Sequence, residues 1–360
     1  MKIALLTEIP APFRIPLFNA LAARAELLVL FLARSDPRRT HYDLHQDEWR
    51  FDHVFLPGHE VERGGRWTVL NRSVVKELRR FGPDAVAVGG WNQPAFWEAL
   101  AYTKVARVPL LVWIESTERD ARSEARPLEL AKRALVRGAA GAFVPGEASA
   151  KYARQLGIRD DHIVVAPNAV DNAFFRTFTR RDANTCTFLY VGRLDPEKGL
   201  DVLLDAFEDV PGRLVLAGSG TEKDALQHRA PDRVTFLGPV PRDQTPRLYA
   251  SADVFVLPSR SEQWGMVLNE AAAAGLPLVA TDAAGAAYEL VDDDLRVPAG
   301  DVEALRQALR RLAADPELRQ ASGERARERV ARLTPDAWAE GVLELASRAA
   351  GRTPRSADPR

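Results

Sequence analysis

The sequence predicts an α/β protein of two Rossmann-like, doubly wound domains that face each other across a cleft. Three observations carry this. Apolar runs of strand length alternate with helical segments along most of the chain, the alternation comes in two rounds, and a polar stretch with neither period separates them. Continuous apolar strands divided by helices are the pattern of parallel sheets covered on both faces.

In the first round, strands are expected near residues 3–7, 27–32, 51–57, 85–88, 110–114, 141–144 and 163–166. Helices near 15–23, 73–81, 94–106, 127–137 and 148–155 alternate with several of them. In the second round, strands near 188–191, 213–217, 234–237, 254–257 and 277–280 are separated by helices near 200–208, 222–227, 245–250 and 266–274. Pro167 to Thr185 is polar and aperiodic. The first domain is therefore set at residues 1–167, the linker at 168–185 and the second domain at 186–334. Beyond about residue 300 the pattern is helical only, with Asp301 and Thr334 as N-caps and Pro335 at a first helical position. A helix over 335–350 is expected to cross back onto the first domain, and residues 351–360 to form a disordered tail.

Of 360 residues, 46% are hydrophobic and 28% charged, which fits globular domains with a real core. The start MKIALLTEIP reads as a strand followed by prolines, not a signal peptide, and no apolar run reaches spanning length. A cytoplasmic setting is the expectation. The single cysteine, Cys186, excludes an internal disulfide and suits a reducing compartment. The net charge of −1 conceals a basic first half and an acidic second half. That first half would suit an anionic acceptor or peripheral contact with a membrane, or be a solvated surface with uneven arginine usage. No nucleic-acid partner is indicated.

The most informative stretch is LPSRSEQWGMVLNEAAAAGLPLVATDAAG, residues 257–285. An apolar strand runs into a polar loop, and Gly265 then opens an alanine-rich helix whose free N–H groups and positive dipole end make an anion site. Glu262 precedes that site, and Glu270 follows one to two turns into the helix. Acceptor-only carboxylates on either side of an anion hole suit a ligand with hydroxyls flanking a phosphate, as in a nucleotide sugar. Upstream, VGRLDPEKGL places Gly192, Arg193 and Lys198 at a strand-to-helix corner. A guanidinium fork and a point charge there suit a diphosphate, or else form a turn with solvated cations. In LAGSGTE, Gly218 and Gly220 suit either ligand approach to the backbone or a tight turn. In FLGPV, the backbone at Gly238 and Val240 could meet a base.

Taken in order, the linker entry PNAVDNAFF, GRLDPEKGLDVLLDAF, AGSG, the 257–285 block and the TPDAW helix resemble the retaining glycosyltransferases of family 4, which have the GT-B fold. The resemblance covers most of the chain and is strongest over residues 186–300. It implies a hexosyl transfer from a nucleoside diphosphate sugar, UDP- or GDP-linked, to an acceptor hydroxyl, in glycan, glycolipid or polysaccharide biosynthesis. The acceptor would be a sugar, a lipid-linked glycan or a small metabolite. By resemblance, Arg193 and Lys198 hold the diphosphate, Glu262 bonds the donor sugar, amides at Met266 and Val267 meet the distal phosphate, and Glu270 bonds the ribose. No cofactor beyond the co-substrate is implied.

The first half departs from the family pattern twice. The loop TEIPAPFRIPLFNAL has three prolines and no glycine pair, leaving Arg14 to supply a phosphate contact or to face solvent. After VAV the chain reads Gly89-Gly90-Trp91-Asn92 where many members have a histidine, so Glu115 is the nearest alternative acid-base or acceptor-binding group. Trp91, Trp97 and Trp113 would line an acceptor groove or pack in the core. His41 and His45 with Asp43 and Asp47 read as a mobile loop, and Asp292-Asp293-Asp294 as a solvated turn, so a metal-independent enzyme is expected. A nicotinamide dehydrogenase would need a glycine fingerprint that TEIPAPFRIP lacks. A nucleotide-sugar epimerase of the same bilobal fold, which would need no acceptor, and a non-catalytic sugar-binding protein are the remaining rivals.

Overall fold

The computed structural model describes residues 1–36, 46–63, 66–119, 126–176 and 185–351, and every count below refers to these. The first lobe carries β1 (Lys2–Thr7), β2 (Glu26–Phe31), β3 (Asp52–Phe55), β4 (Gly58–Arg63), β5 (Arg66–Asn71), β6 (Ala85–Val88), β7 (Leu110–Trp113), β8 (Gly141–Val144) and β9 (Ile163–Val165). Its helices are α1 (Ile15–Ala22), α2 (Val74–Phe81), α3 (Pro94–Ala106), α4 (Arg126–Gly138) and α5 (Glu147–Leu156). Seven strands form one parallel sheet in the order β3-β2-β1-β6-β7-β8-β9.

The wholly apolar strands follow from burial on both faces. Ile3 and Leu5 of β1 point into one core layer and Ala4 and Leu6 into the other, because successive side chains alternate across a pleat. β4 and β5 form a separate antiparallel hairpin over residues to which the sequence pattern assigns no element. All six residues of β4 are exposed, so no apolar alternation marks it.

A short α6 (Asn172–Phe175) leads into the second lobe. Its strands are β10 (Thr187–Val191), β11 (Arg213–Ala217), β12 (Val234–Gly238), β13 (Val254–Leu257), β14 (Leu278–Thr281) and β15 (Arg296–Val297), parallel in the order β12-β11-β10-β13-β14-β15. Around them lie α7 (Leu200–Phe207), α8 (Lys223–Arg229), α9 (Thr245–Ala250), α10 (Met266–Ala273), α11 (Ala287–Leu290), α12 (Val302–Ala314) and α13 (Pro316–Val330). The last helix, α14 (Pro335–Ala349), packs on α1, β8 and β9 of the first lobe. Thr334 caps it, its hydroxyl accepting from the Ala337 amide at 3.1 Å, and Asp301 caps α12 through the Ala304 amide at 2.9 Å.

Ala166 and Ala169 belong to the first lobe's core, whereas Val170 and Phe175 pack into the second. The chain thus changes lobes within 166–170, and the segment read as linker starts inside packed structure; its residues 177–184 lie outside the described residues, as do His41, Asp43, His45 and the tail from residue 352. In the aspartate run at 292–294, Asp293 and Asp294 are exposed as expected, whereas Asp292 departs from expectation. Asp292 is buried, accepting from Ser322 at 2.6 Å and from Arg325 at 2.7 Å, with Arg329 at 2.8 Å. Burial would raise its carboxyl, but these partners outweigh that and hold it below the ordinary range. It anchors α13 to the body of the lobe instead of forming a solvated turn. Among the described residues, no group of three His, Cys, Asp or Glu could hold a metal, and no helix is long and apolar enough to cross a membrane.

Candidate functional site

In open parallel sheets, ligands bind beyond the C-terminal strand ends. In the second lobe the segments after β10, β11, β12, β13 and β14 meet there. The loop after β10 carries Arg193 and Lys198, and the loop after β13 carries Glu262. The two are docked: the amides of Arg260 and Ser261 donate to the Glu197 carbonyl at 2.8 and 3.3 Å, and Arg260 grips Asp201 with two bonds of 2.6 Å. Gly199 permits this approach, since a Cβ there would stand 2.3 Å from the Pro258 carbonyl oxygen. The result is an ion pair between Lys198 and Glu262, whose side chains are only 13% and 19% exposed. Sixty-four residues of sequence separate them.

Arg193 behaves differently. It is exposed, and its guanidinium is bound to Asp195 and, at 2.6 Å, to Glu197. Asp195 also accepts from the Thr221 amide and hydroxyl at 2.9 and 3.1 Å, tying this loop to the one after β11. Burial opposes ionisation of Asp195, but Thr221, Arg193 and Lys198 prevail and hold its carboxyl low. Gly218 lies directly against the Gly192 backbone, where a Cβ would come within 1.8 Å of the Gly192 carbonyl oxygen, and its amide donates to the Gly238 carbonyl at 2.7 Å. The glycines at 192, 218 and 238 thus line up across neighbouring strand ends, with Val240 half-buried beyond them.

Glu262 is held in register by a parallel bridge to Ala284, and the Ala286 amide donates to the Trp264 carbonyl at 2.8 Å. This is why the TDAAG segment lies beside the glutamate loop. Gly265, with φ of 94°, caps α10 in the left-handed region, and Met266 and Val267 form its half-exposed first turn. Glu270 sits one turn on. Its carboxylate is enclosed and accepts from the Tyr249 hydroxyl at 2.6 Å. Burial pushes Glu270 up to about 7, against the lowering effects of Tyr249 and nearby Arg242. Tyr249, on α9, carries no motif and is separated from Glu270 by 21 residues, so nothing local in the sequence announces it. The same holds for buried Tyr190, which braces the Arg193 carbonyl at 2.6 Å.

The first lobe presents its own strand ends to this face. Glu115, after β7, does not stand as a free base: Oε2 is bound by Arg14 and Oε1 accepts from Asn168 at 2.8 Å. Arg14 also donates to Thr7 at 2.9 Å and lies over the Trp113 ring at 4.5 Å. Its side chain, only 18% exposed, is thus engaged within the first lobe by the ion pair with Glu115. In the loop after β6, Asn92 and Gln93 donate to Glu8 at 2.7 and 2.9 Å. Trp113 is buried, whereas Trp91 is half-buried beside Lys132 and accepts at its carbonyl from the Trp97 indole. The lobes touch through Arg119–Asp282 at 2.6 Å, the Glu147 amide on Glu289 at 2.9 Å, and Gln263 on Ser116 at 3.4 Å.

Known proteins are similar to this chain in sequence and in fold. The family model described as "Glycosyl transferases group 1" matches residues 171–329, and that described as "Glycosyl transferase 4-like domain" matches residues 16–169. Sulfoquinovosyl transferase SQD2 of Arabidopsis thaliana is 29% identical over 283 residues, covering 72% of this chain and 55% of that protein. The glycogen synthase of Mycobacterium tuberculosis is 29% identical over 324 residues, covering 83% of this chain and 76% of its own. The D-inositol 3-phosphate glycosyltransferase of Acidothermus cellulolyticus is 33% identical over 224 residues, and the chain spans half, 50%, of its length. Among solved structures, HepE of Anabaena in complex with UDP superposes with a TM-score of 0.78 at 20% identity, covering 97% of this chain and 100% of that one. Sucrose-phosphate synthase from Thermosynechococcus elongatus gives 0.75 at 22% identity, covering 97% and 98%. Identities this low speak to the fold, which is GT-B. With both lobes matched and the motif loops converging as described, the chain belongs to the group 1, family 4, glycosyltransferases.

Proposed function

We propose that this protein transfers a hexosyl unit from a nucleoside diphosphate sugar to an acceptor hydroxyl, with retention at the anomeric carbon and without a metal ion. The observation that carries the reading is the docking of Lys198 onto Glu262 beside the first turn of α10, with Glu270 held by Tyr249 one turn further on. Those groups match the donor in order: sugar hydroxyls at Glu262, diphosphate at Lys198 and the Met266 and Val267 amides, ribose at Glu270. HepE, solved with UDP and with UDP-glucose, supports a uridine donor, and GDP-sugars are the alternative.

The chemical difficulty is departure of a diphosphate while an oxocarbenium-like centre forms. Lys198 and the α10 N-terminus oppose the charge that builds on the leaving group, an effect worth roughly 3–4 kcal/mol per preorganised donor. Glu262 engages Lys198, and an incoming diphosphate would compete for that cation. Arg193 would have to leave Asp195 and Glu197 to join it. Retention follows from front-face attack assisted by the departing phosphate, or from double displacement through a carboxylate. Both oxygens of Glu115 are committed, which favours a positioning part for it over that of a free base. The acceptor is a sugar, lipid-linked glycan or small metabolite, as in the glycan assembly for which several relatives are named. The reaction is placed in the cytoplasm, with contact at the inner membrane face where the acceptor is a lipid.

A panel of UDP- and GDP-sugars screened by thermal shift tests the donor half, since a ligand that binds only the native state raises the midpoint. The true donor is expected to release nucleoside diphosphate only with acceptor present, and equally well with a chelator. Lys198→Ala should then lower kcat/KM by about a hundredfold, on the scale of one lost electrostatic contact. Release without acceptor would favour the epimerase or hydrolase alternative, and a Lys198→Ala enzyme at full kcat/KM would refute the donor site.

A further inference from the structure

Where the chain passes between lobes, a buried run of hydrogen bonds links the donor helix to the opposite wall of the cleft. Asn269, the neighbour of Glu270, has no exposed surface. Its Oδ1 accepts from the Trp264 indole at 2.8 Å, and its Nδ2 donates to the Asn168 carbonyl at 2.9 Å. Asn168, 3% exposed, turns its own amide the other way and donates to Glu115 Oε1 at 2.8 Å. Arg14 holds the second oxygen of Glu115 and reaches back to Thr7. Flipping either amide would set acceptor against acceptor, so the partners fix both orientations. The run crosses the lobe boundary at one residue: Ala166 and Ala169 lie in the first core and Val170 in the second.

We propose that Asn269 is a positioning residue which, through the main chain and side chain of Asn168, keeps Glu115 of the first lobe in register with the donor helix. Rotation about residues 166–170 has to stretch either the Asn269–Asn168 bond or the Asn168–Glu115 bond. The amides of Asn269 and Asn168 are held by partners along the run, and buried polar networks held in this way favour one geometry. The register between the Glu270 end of the donor pocket and the Glu115 wall is therefore set by this run. The part it plays in turnover rests on the glycosyltransferase reading, whereas the mechanical coupling does not.

Amide exchange followed by mass spectrometry on the ligand-free full chain tests the coupling without turnover. Asn269→Ala should raise exchange across residues 112–118, in the other lobe, by about threefold or more, while residues 26–31 of β2 stay unchanged. Unchanged exchange over 112–118, or an equal rise in β2 that signals general loosening, overturns the proposal. The second arm uses Asn168→Asp, which sets a carboxylate against Glu115 with Arg14 as the facing cation. Protonation of the introduced group restores a donor to Glu115. The ratio of variant to wild-type kcat on the donor found by screening should climb about tenfold from about pH 8 to about pH 5.5, with donor KM within about threefold. A flat ratio, or a change in KM alone, overturns the proposal. A protein that turns over no nucleotide sugar would instead refute the glycosyltransferase reading, and the exchange result alone would then decide the coupling.

Discussion

Glu270 shows how a single carboxylate is tuned by its surroundings. Its spacing from Glu262 is visible in the sequence, but its ionisation is decided by burial, which lifts it to about 7 although the Tyr249 hydrogen bond and Arg242 pull it down. The native state then holds this proton more tightly than the unfolded chain does. Stability from this group is present at low pH and is lost as pH climbs from the ordinary carboxylate range through about 7. Ribose hydroxyls donate best to the ionised form, so donor affinity should run the opposite way. Calorimetry with UDP should show binding tightening by about tenfold between about pH 6 and about pH 8 beyond the trend of Glu270→Gln, as one group titrating near neutrality requires. Parallel profiles for the two proteins would remove Glu270 from the ribose contact. Lys198 and Arg193 make the complementary case: both are cations at one corner, yet only Lys198 is enclosed with Glu262.

At the scale of elements, the strand ends were more legible than the loops that leave them. Apolar runs such as those of β10 and β13 mark strands because both faces are covered, and Gly265 marks a helix start. The glycine loop after β11 is a different matter. Gly218 reads equally well as a turn or as a ligand approach, and the structure gives it a third task, packing the loop after β11 on the loop after β10. With φ of 137° and only 1.8 Å from a prospective Cβ to the Gly192 carbonyl oxygen, Gly218→Ala cannot be accommodated by side-chain movement. Strain and overpacking together should cost about 2–5 kcal/mol, visible as a lower denaturation midpoint and weaker UDP binding. A variant with wild-type midpoint would mean that the two loops are not held together. The β4–β5 hairpin escaped the pattern because its first strand is exposed throughout and lacks alternation.

For the whole molecule, α14 ties the end of the chain to its beginning. Trp338 is fully buried, with ring centroids 6.0 Å from Phe18, 5.3 Å from Trp113 and 6.0 Å from Phe143, all in the first lobe. Trp338→Ala should destabilise that lobe by about 3–5 kcal/mol, as for large aromatic truncations in cores. Trp338→Phe should cost much less, because the indole N–H is buried without a hydrogen-bond partner among the described residues. Denaturation of the two variants checks the ordering, and equal losses would show that the N–H rather than the ring area matters.

By itself the sequence determined two doubly wound sheets, the cap residues of the late helices and the ordered motifs of the second lobe, because periodicity, capping and turn chemistry act over a few neighbouring residues. Only the tertiary structure decided that Lys198 meets Glu262, that Tyr249 encloses Glu270, that Asp292 is an anchor, and that Arg14 and Asn168 claim Glu115. Those pairs are brought together by how strands order within a sheet and how lobes meet. Spacing along a chain carries no record of either.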